Sequence, residues 1–159
     1  MTPRYTEFRM APELTEVTIQ DIYAALVDDV ARNEMIVNDM VRAVHAGRCP
    51  LLLTGRTEHL QYFAEKLAGA ARHVFVLKGG MGKKQRRATA AALASVRENE
   101  SRVILATGSY IGEGFDDARL DTLFLAMPIS WKGTLQQYVG RLHRLHDNKR
   151  LVQVYDYVD

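Results

Sequence analysis

The stretch LLLTGRTEHLQYFAEKLAGAARHVFVL, residues 51–77, changes its period twice. LLLT is a short unbroken apolar run, the pattern of a strand covered on both faces. EHLQYFAEKLAGA follows with apolar residues at helical spacing, and HVFVL is strand-like again. The same alternation runs on. MGKKQRRATAAALASVREN reads as an alanine-rich helix and RVILAT as a strand, followed by the glycine-bearing loop SYIGEGFDDARL. DTLFLAM is a further strand, GTLQQYVGRLHRL a helix and LVQVYDYV a last strand. Strands alternating with helices from Pro50 onward imply an α/β fold, a mainly parallel central sheet with helices on both faces.

Upstream of Pro50 a helical pattern begins at Thr18, where Asp21 completes an acidic variant of a capping box. Ile22, Leu26 and Val30, then Met35, Ile36, Met40 and Val44, mark its apolar face, and Gly47 ends it. The region is one long helix or two, broken near Asn33. The first 17 residues contain two prolines and no clear period, and are expected to form a loosely ordered lead-in. The division is thus a lead-in over 1–17 and one domain over 18–159, with a helical region at 18–47.

A chain of 159 residues, 47% of them hydrophobic, suits one well-cored domain and is short for two. No apolar run is long enough to span a bilayer, and the N-terminus lacks the apolar core of a signal peptide, so a cytoplasmic protein is expected. Cys49 is the single cysteine; His45, His59 and His73 have no metal-ligand spacing with it, and no metal site is expected. Net charge is only +2, but it is unevenly spread. KGGMGKKQRR, residues 78–87, holds five basic residues and no acid, and RLHRLHDNKR, residues 141–150, holds four Lys or Arg. Such segregation suits a phosphate-facing surface, although a solvated basic face has the same composition.

Glycine-rich loops after strands invite a search for G-x-x-x-x-G-K-[ST], whose backbone N–H groups, lysine and hydroxyl hold a triphosphate and its magnesium. Gly82-Lys83 fails this pattern because Leu77 and Lys84 stand where a glycine and a hydroxyl are needed. Gly55-Arg56-Thr57 fails because Pro50 and Arg56 replace the glycine and the lysine. The chain therefore lacks the parts that bind and cleave a nucleoside triphosphate unaided.

In QQYVGRLHR, residues 136–144, helical geometry sets Gln137, Arg141 and Arg144 within an arc of about 60°. Leu135, Tyr138, Val139 and Leu142 fall on the opposite side. Guanidinium groups are permanently charged and fork onto phosphate oxygens, so two on one rigid helix can stabilise charge developing on a γ-phosphate. Gly140 permits another backbone to approach. His143 lies off that face.

Q-x-x-G-R-x-x-R resembles motif VI of the superfamily 2 helicases. ATGSYIGEGFDDARLDTLFLAMP resembles their motif V, LLLTGRTEHL their motif IV, and VFVLKGGMGKKQRRATAAAL the stretch between IV and V. Order and spacing agree over residues 33–159. Within the DEAD/DEAH helicases the chain looks like the helicase (Res) subunits of type III restriction enzymes.

The resemblance implies a RecA-like three-layer domain, a P-loop NTPase-like fold without its own P-loop. It implies ATP and Mg²⁺ in a cleft completed by an N-terminal RecA-like domain that carries the Walker A and B motifs, and none bound by this domain alone. Arg141 and Arg144 would be catalytic and reach the γ-phosphate. Gly114, Asp116, Gln137 and Gly140 would form the nucleotide-binding side, with Asp116 on the ribose or orienting a motif VI arginine. Thr54, Arg56, Gly79, Gly80, Lys83, Lys84, Thr107 and Gly108 would meet the nucleic-acid backbone. Such contacts do not separate DNA from RNA; the restriction-enzyme resemblance implies DNA, and allows attached nuclease or methyltransferase modules. The expected function is the C-terminal domain of an ATP-dependent helicase or translocase, inactive as an ATPase alone. The alternatives are a stand-alone non-catalytic nucleic-acid-binding domain and a self-contained nucleotide hydrolase.

Overall fold

The structure, a computed structural model, describes residues 2–8, 18–78, 82–97, 99–107, 120–127 and 153–158. Its described strands are β1 (Thr2–Tyr5), β2 (Pro50–Thr54), β3 (His73–Leu77), β4 (Arg102–Thr107), β5 (Thr122–Leu125) and β6 (Gln153–Val158). Its described helices are α1 (Ile19–Asp28), α2 (Val30–His45), α3 (Thr57–Leu67) and α4 (Lys83–Ala94). The strands form one sheet in the order β1-β6-β5-β2-β4-β3, and every pairing is parallel.

Alternation along the strands sorts the apolar side chains into two cores. Leu51 and Leu53 of β2 join Ile104 and Ala106 of β4 on the face that receives Leu93 of α4. Leu52, Val103, Leu105 and Phe124 point the other way and meet Ile36, Met40 and Val44 of α2 and Leu60, Phe63 and Leu67 of α3. Helices on opposite faces follow from the strand order. The chain moves from β2 outward to β3 through α3, then back to β4 through α4, and right-handed crossovers running in opposite directions lie on opposite faces.

The helical region is two helices, and the break falls at Asp29 rather than Asn33. Asp29 adopts an extended conformation, ends α1 and caps α2, its carboxylate accepting the Arg32 N–H at 2.8 Å. The capping box at Thr18 and Asp21 is present in both directions. Gly47, at φ 78°, closes α2 as a Schellman motif: its N–H donates to the Val44 carbonyl and the Arg48 N–H to the Ala43 carbonyl.

The loosely ordered reading of the lead-in needs correction at its start. Thr2–Tyr5 is an edge strand paired with β6, with Arg4 opposite Tyr157. Pro3 is compatible because an edge strand leaves one row of backbone groups unpaired. Phe8, farther along, packs with Leu26 of α1 and Met127 after β5. The helix expected over residues 133–145 lies outside the described residues.

Candidate nucleic-acid interface

After β2 the chain re-enters the sheet on one side, at β3; after β4 it re-enters on the other side, at β5. Strand order thus reverses between neighbouring β2 and β4. In parallel α/β sheets ligands bind at such a switch point, beyond the carboxyl ends of the strands. Thr54 and Thr107 are the last residues of β2 and β4 and face each other in register. Because all strands run the same way, the turn after β2 that carries Arg56, the end of β3 and the start of α4 gather along this one edge. Two strand spacings, about 10 Å, separate β2 from β3.

Both threonines are buried, Thr54 at 3% exposure and Thr107 at 8%. By alternation they lie on the α2/α3 side of the sheet, with Leu52 and Leu105. The Thr54 hydroxyl lies 2.9 Å from His59 Nδ1, and His59 Nε2 lies 2.9 Å from Asn33 Oδ1. Asn33 Nδ2 donates in turn to the Val27 carbonyl at 2.8 Å. His59 has no exposed surface. Burial, reinforced by the nearby Arg32 guanidinium, lowers its pKa to about 3, so the ring is neutral. Arg32 is itself buried, donates to the Ala126 carbonyl at 2.6 Å and stands 5.9 Å over the Tyr157 ring.

Arg56 leans toward α1, where its guanidinium donates to Gln20 Oε1 at 2.6 Å; Glu58 stands 3.7 Å away. Between Thr54 and Arg56, Gly55 is exposed and a side chain there would meet open space. Along the edge, Lys78, Lys83 and Lys84 are exposed. Gly82 caps α4 without a side-chain hydrogen bond, and the first turn of α4 holds no acid. Its backbone N–H groups and the helix dipole therefore add to the positive charge of Lys83 and Lys84.

Of the residues expected at the site, the structure brings Thr54, Arg56, Thr107, Lys83 and Lys84 to this edge. Gly79, Gly80, Gly108, Gly114, Asp116, Gln137, Gly140, Arg141 and Arg144 lie outside the described residues. His59 and Asn33 were not singled out for this role. The usable signal was a buried-type hydroxyl closing a strand with a histidine in the first turn of the next helix. Among the described residues no three His, Cys, Asp or Glu side chains converge as metal ligands, and no helix is long and apolar enough to cross a membrane.

No family model matches the chain. Over 120 residues it is 28% identical to transcript termination protein A18 of Vaccinia virus (strain Ankara), a match covering 73% of this chain and 23% of that protein. The chain thus spans about a quarter of the length of the viral proteins it matches. Among solved structures, T4 UvsW superposes with a TM-score of 0.70 at 20% identity, over 91% of this chain and 29% of that one. Mss116p DEAD-box helicase domain 2, solved bound to an RNA duplex, superposes with a TM-score of 0.58 at 9% identity, over 86% of this chain and 50% of that one. What is shared at these identities is the architecture: the chain has the RecA-like α/β fold of helicase domains.

Proposed function

We propose that this chain is the second RecA-like domain of an ATP-dependent superfamily 2 helicase or translocase, of the kind found in type III restriction Res subunits. The observation that carries the reading is the switch-point edge, where Thr54, Thr107, Arg56 and the basic start of α4 lie together on a RecA-like sheet. A nucleic-acid backbone suits that edge, because backbone N–H groups and lysines answer phosphates without reading bases. Similarity to a transcript termination protein and to a helicase domain solved with RNA supports the same reading. DNA is the proposed substrate strand.

ATP is the substrate of the complete enzyme, with magnesium supplied alongside it by an N-terminal domain bearing the Walker motifs. Here Arg141 and Arg144 stabilise charge on the transferred phosphoryl group, and Gln137, Gly140, Gly114 and Asp116 support them. Nuclease or methyltransferase modules fit the restriction-enzyme reading as further partners. The absent P-loop also favours a second reading, a non-catalytic nucleic-acid-binding domain. The two readings part on whether nucleic acid stimulates ATP hydrolysis once the Walker-bearing domain is joined.

The interface is tested by titrating the chain with a labelled single-stranded DNA oligonucleotide at several salt concentrations. Lys83→Ala and Lys84→Ala should each weaken binding and reduce the slope of log affinity against log salt by about 1. An unchanged slope in both variants would remove α4 from the interface, and no binding by the parent chain would remove the interface altogether.

A further inference from the structure

Behind the candidate interface a line of buried polar groups runs from the α1–α2 corner to the end of β2, and its donor directions are fixed by exclusion. The Asn33 amide nitrogen donates to the Val27 carbonyl, so the amide oxygen faces the ring. His59 Nε2 must then carry the proton and donate to it. Nδ1 is left as an acceptor, and the Thr54 hydroxyl donates to it. With its proton directed inward, Thr54 has none for a phosphate, and its oxygen instead lies 3.4 Å from the Arg56 N–H as an acceptor.

We propose that His59 is a positioning residue of the interface. By accepting the hydrogen bond of the Thr54 hydroxyl it ties the Thr54-Gly55-Arg56 turn to the α1–α2 corner, so that Gly55 and Arg56, not the Thr54 hydroxyl, meet the nucleic-acid backbone. Arg56 is held from outside to the first turn of α1 through Gln20, at the end of that helix away from the corner. The turn is thus fastened at its Thr54 end to the α1–α2 corner and at its Arg56 end to the start of α1, and a shift of the α1–α2 pair carries the turn with it. The inference rests on the proposed nucleic-acid interface for its purpose, but the relay itself can be tested without a ligand.

The experiment compares the chain with Thr54→Val, His59→Phe, the double variant and Thr54→Ser. Hydrogen exchange is read at the Gly55 and Arg56 amides, and oligonucleotide affinity is measured well below each variant's melting temperature. Thr54→Val and His59→Phe should each speed exchange at the turn and weaken binding about tenfold, the worth of one buried hydrogen bond. The double variant should be no worse than either single one, and Thr54→Ser should restore both readouts. Losses that multiply in the double variant, or His59→Phe without effect beside a weakened Thr54→Val, would overturn the proposal and return the hydroxyl to direct contact. Nitrogen-15 spectra of the unmutated chain give a further check: a proton on Nδ1, or a charged ring at pH 6, contradicts the relay. A chain that binds no oligonucleotide fails the functional reading only; exchange and ring spectra still decide the relay.

Discussion

Burial of His59, with the fixed charge of Arg32 nearby, draws its pKa from 6.5 down to about 3. The unfolded chain therefore takes up a proton near pH 6.5 that the native state refuses until near pH 3. The stability this contributes is complete above pH 6.5 and is lost as pH falls toward 3, at up to about 1.4 kcal/mol per pH unit. Replacing the ring by a group that does not titrate removes that slope. The difference in unfolding free energy between the parent chain and His59→Gln should shrink steadily from pH 7 to pH 5, as followed by urea unfolding. Parallel curves would mean that His59 protonates freely in the native state. This role was not legible in the sequence, where His59 showed only that it lacks metal-ligand spacing. Asn33 is 26 residues away, and only the packing of α2 beside α3 brings the two side chains together.

Elements whose period is carried by their own residues were legible. HVFVL and RVILAT are β3 and β4 as read, LLLT is β2 with Pro50 added, and the capping box starts α1. The element that was missed, β1, has only four residues, one of them proline, and shows no alternation. It is held by partners distant in sequence. Arg4 donates twice to Asp39 of α2, at 2.9 and 3.2 Å, and Tyr157 of β6 donates to the same carboxylate at 2.9 Å. The Asp39 hydrogen bond and charge raise the Arg4 pKa. Burial, with Asp39 adding to it, pushes the Tyr157 phenol far above its ordinary range, so it stays a donor. The Asp39 side chain is 4% exposed and that of Arg4 36%, so the two ends of the pair are not equivalent. Asp39→Ala leaves a buried phenol and a guanidinium without their acceptor and should cost about 2–3 kcal/mol. Arg4→Ala leaves Asp39 its bond from Tyr157 and should cost about 1 kcal/mol. Urea unfolding of the two variants checks the order; equal losses would mean that the Arg4 bond alone carries the clamp.

Across the molecule, the parallel sheet with helices on both faces was legible because the central strands β2, β4 and β5 are buried throughout and the helices between them bury one side. Strand order was not, since nothing local says that β4 lies between β2 and β3 or that β2 separates β4 from β5. That order creates the switch point and turns Thr54 and Thr107, 53 positions apart in sequence, into neighbours. The basic run at 78–87 was visible as charge, but the sheet decides that Lys83 and Lys84 share an edge with Arg56. The missing P-loop fits the proposed division of the site between two domains, and the proposed chemistry is tested where both halves are present. The most direct measurement is DNA-stimulated ATP hydrolysis by this chain joined to the proposed N-terminal domain with Walker motifs, with Arg141→Ala and Arg144→Ala compared. We expect stimulated turnover in the joined protein and a fall of about 10³-fold or more in at least one arginine variant, with oligonucleotide binding retained. Stimulated turnover that survives both substitutions would contradict the proposal that this chain completes the catalytic site.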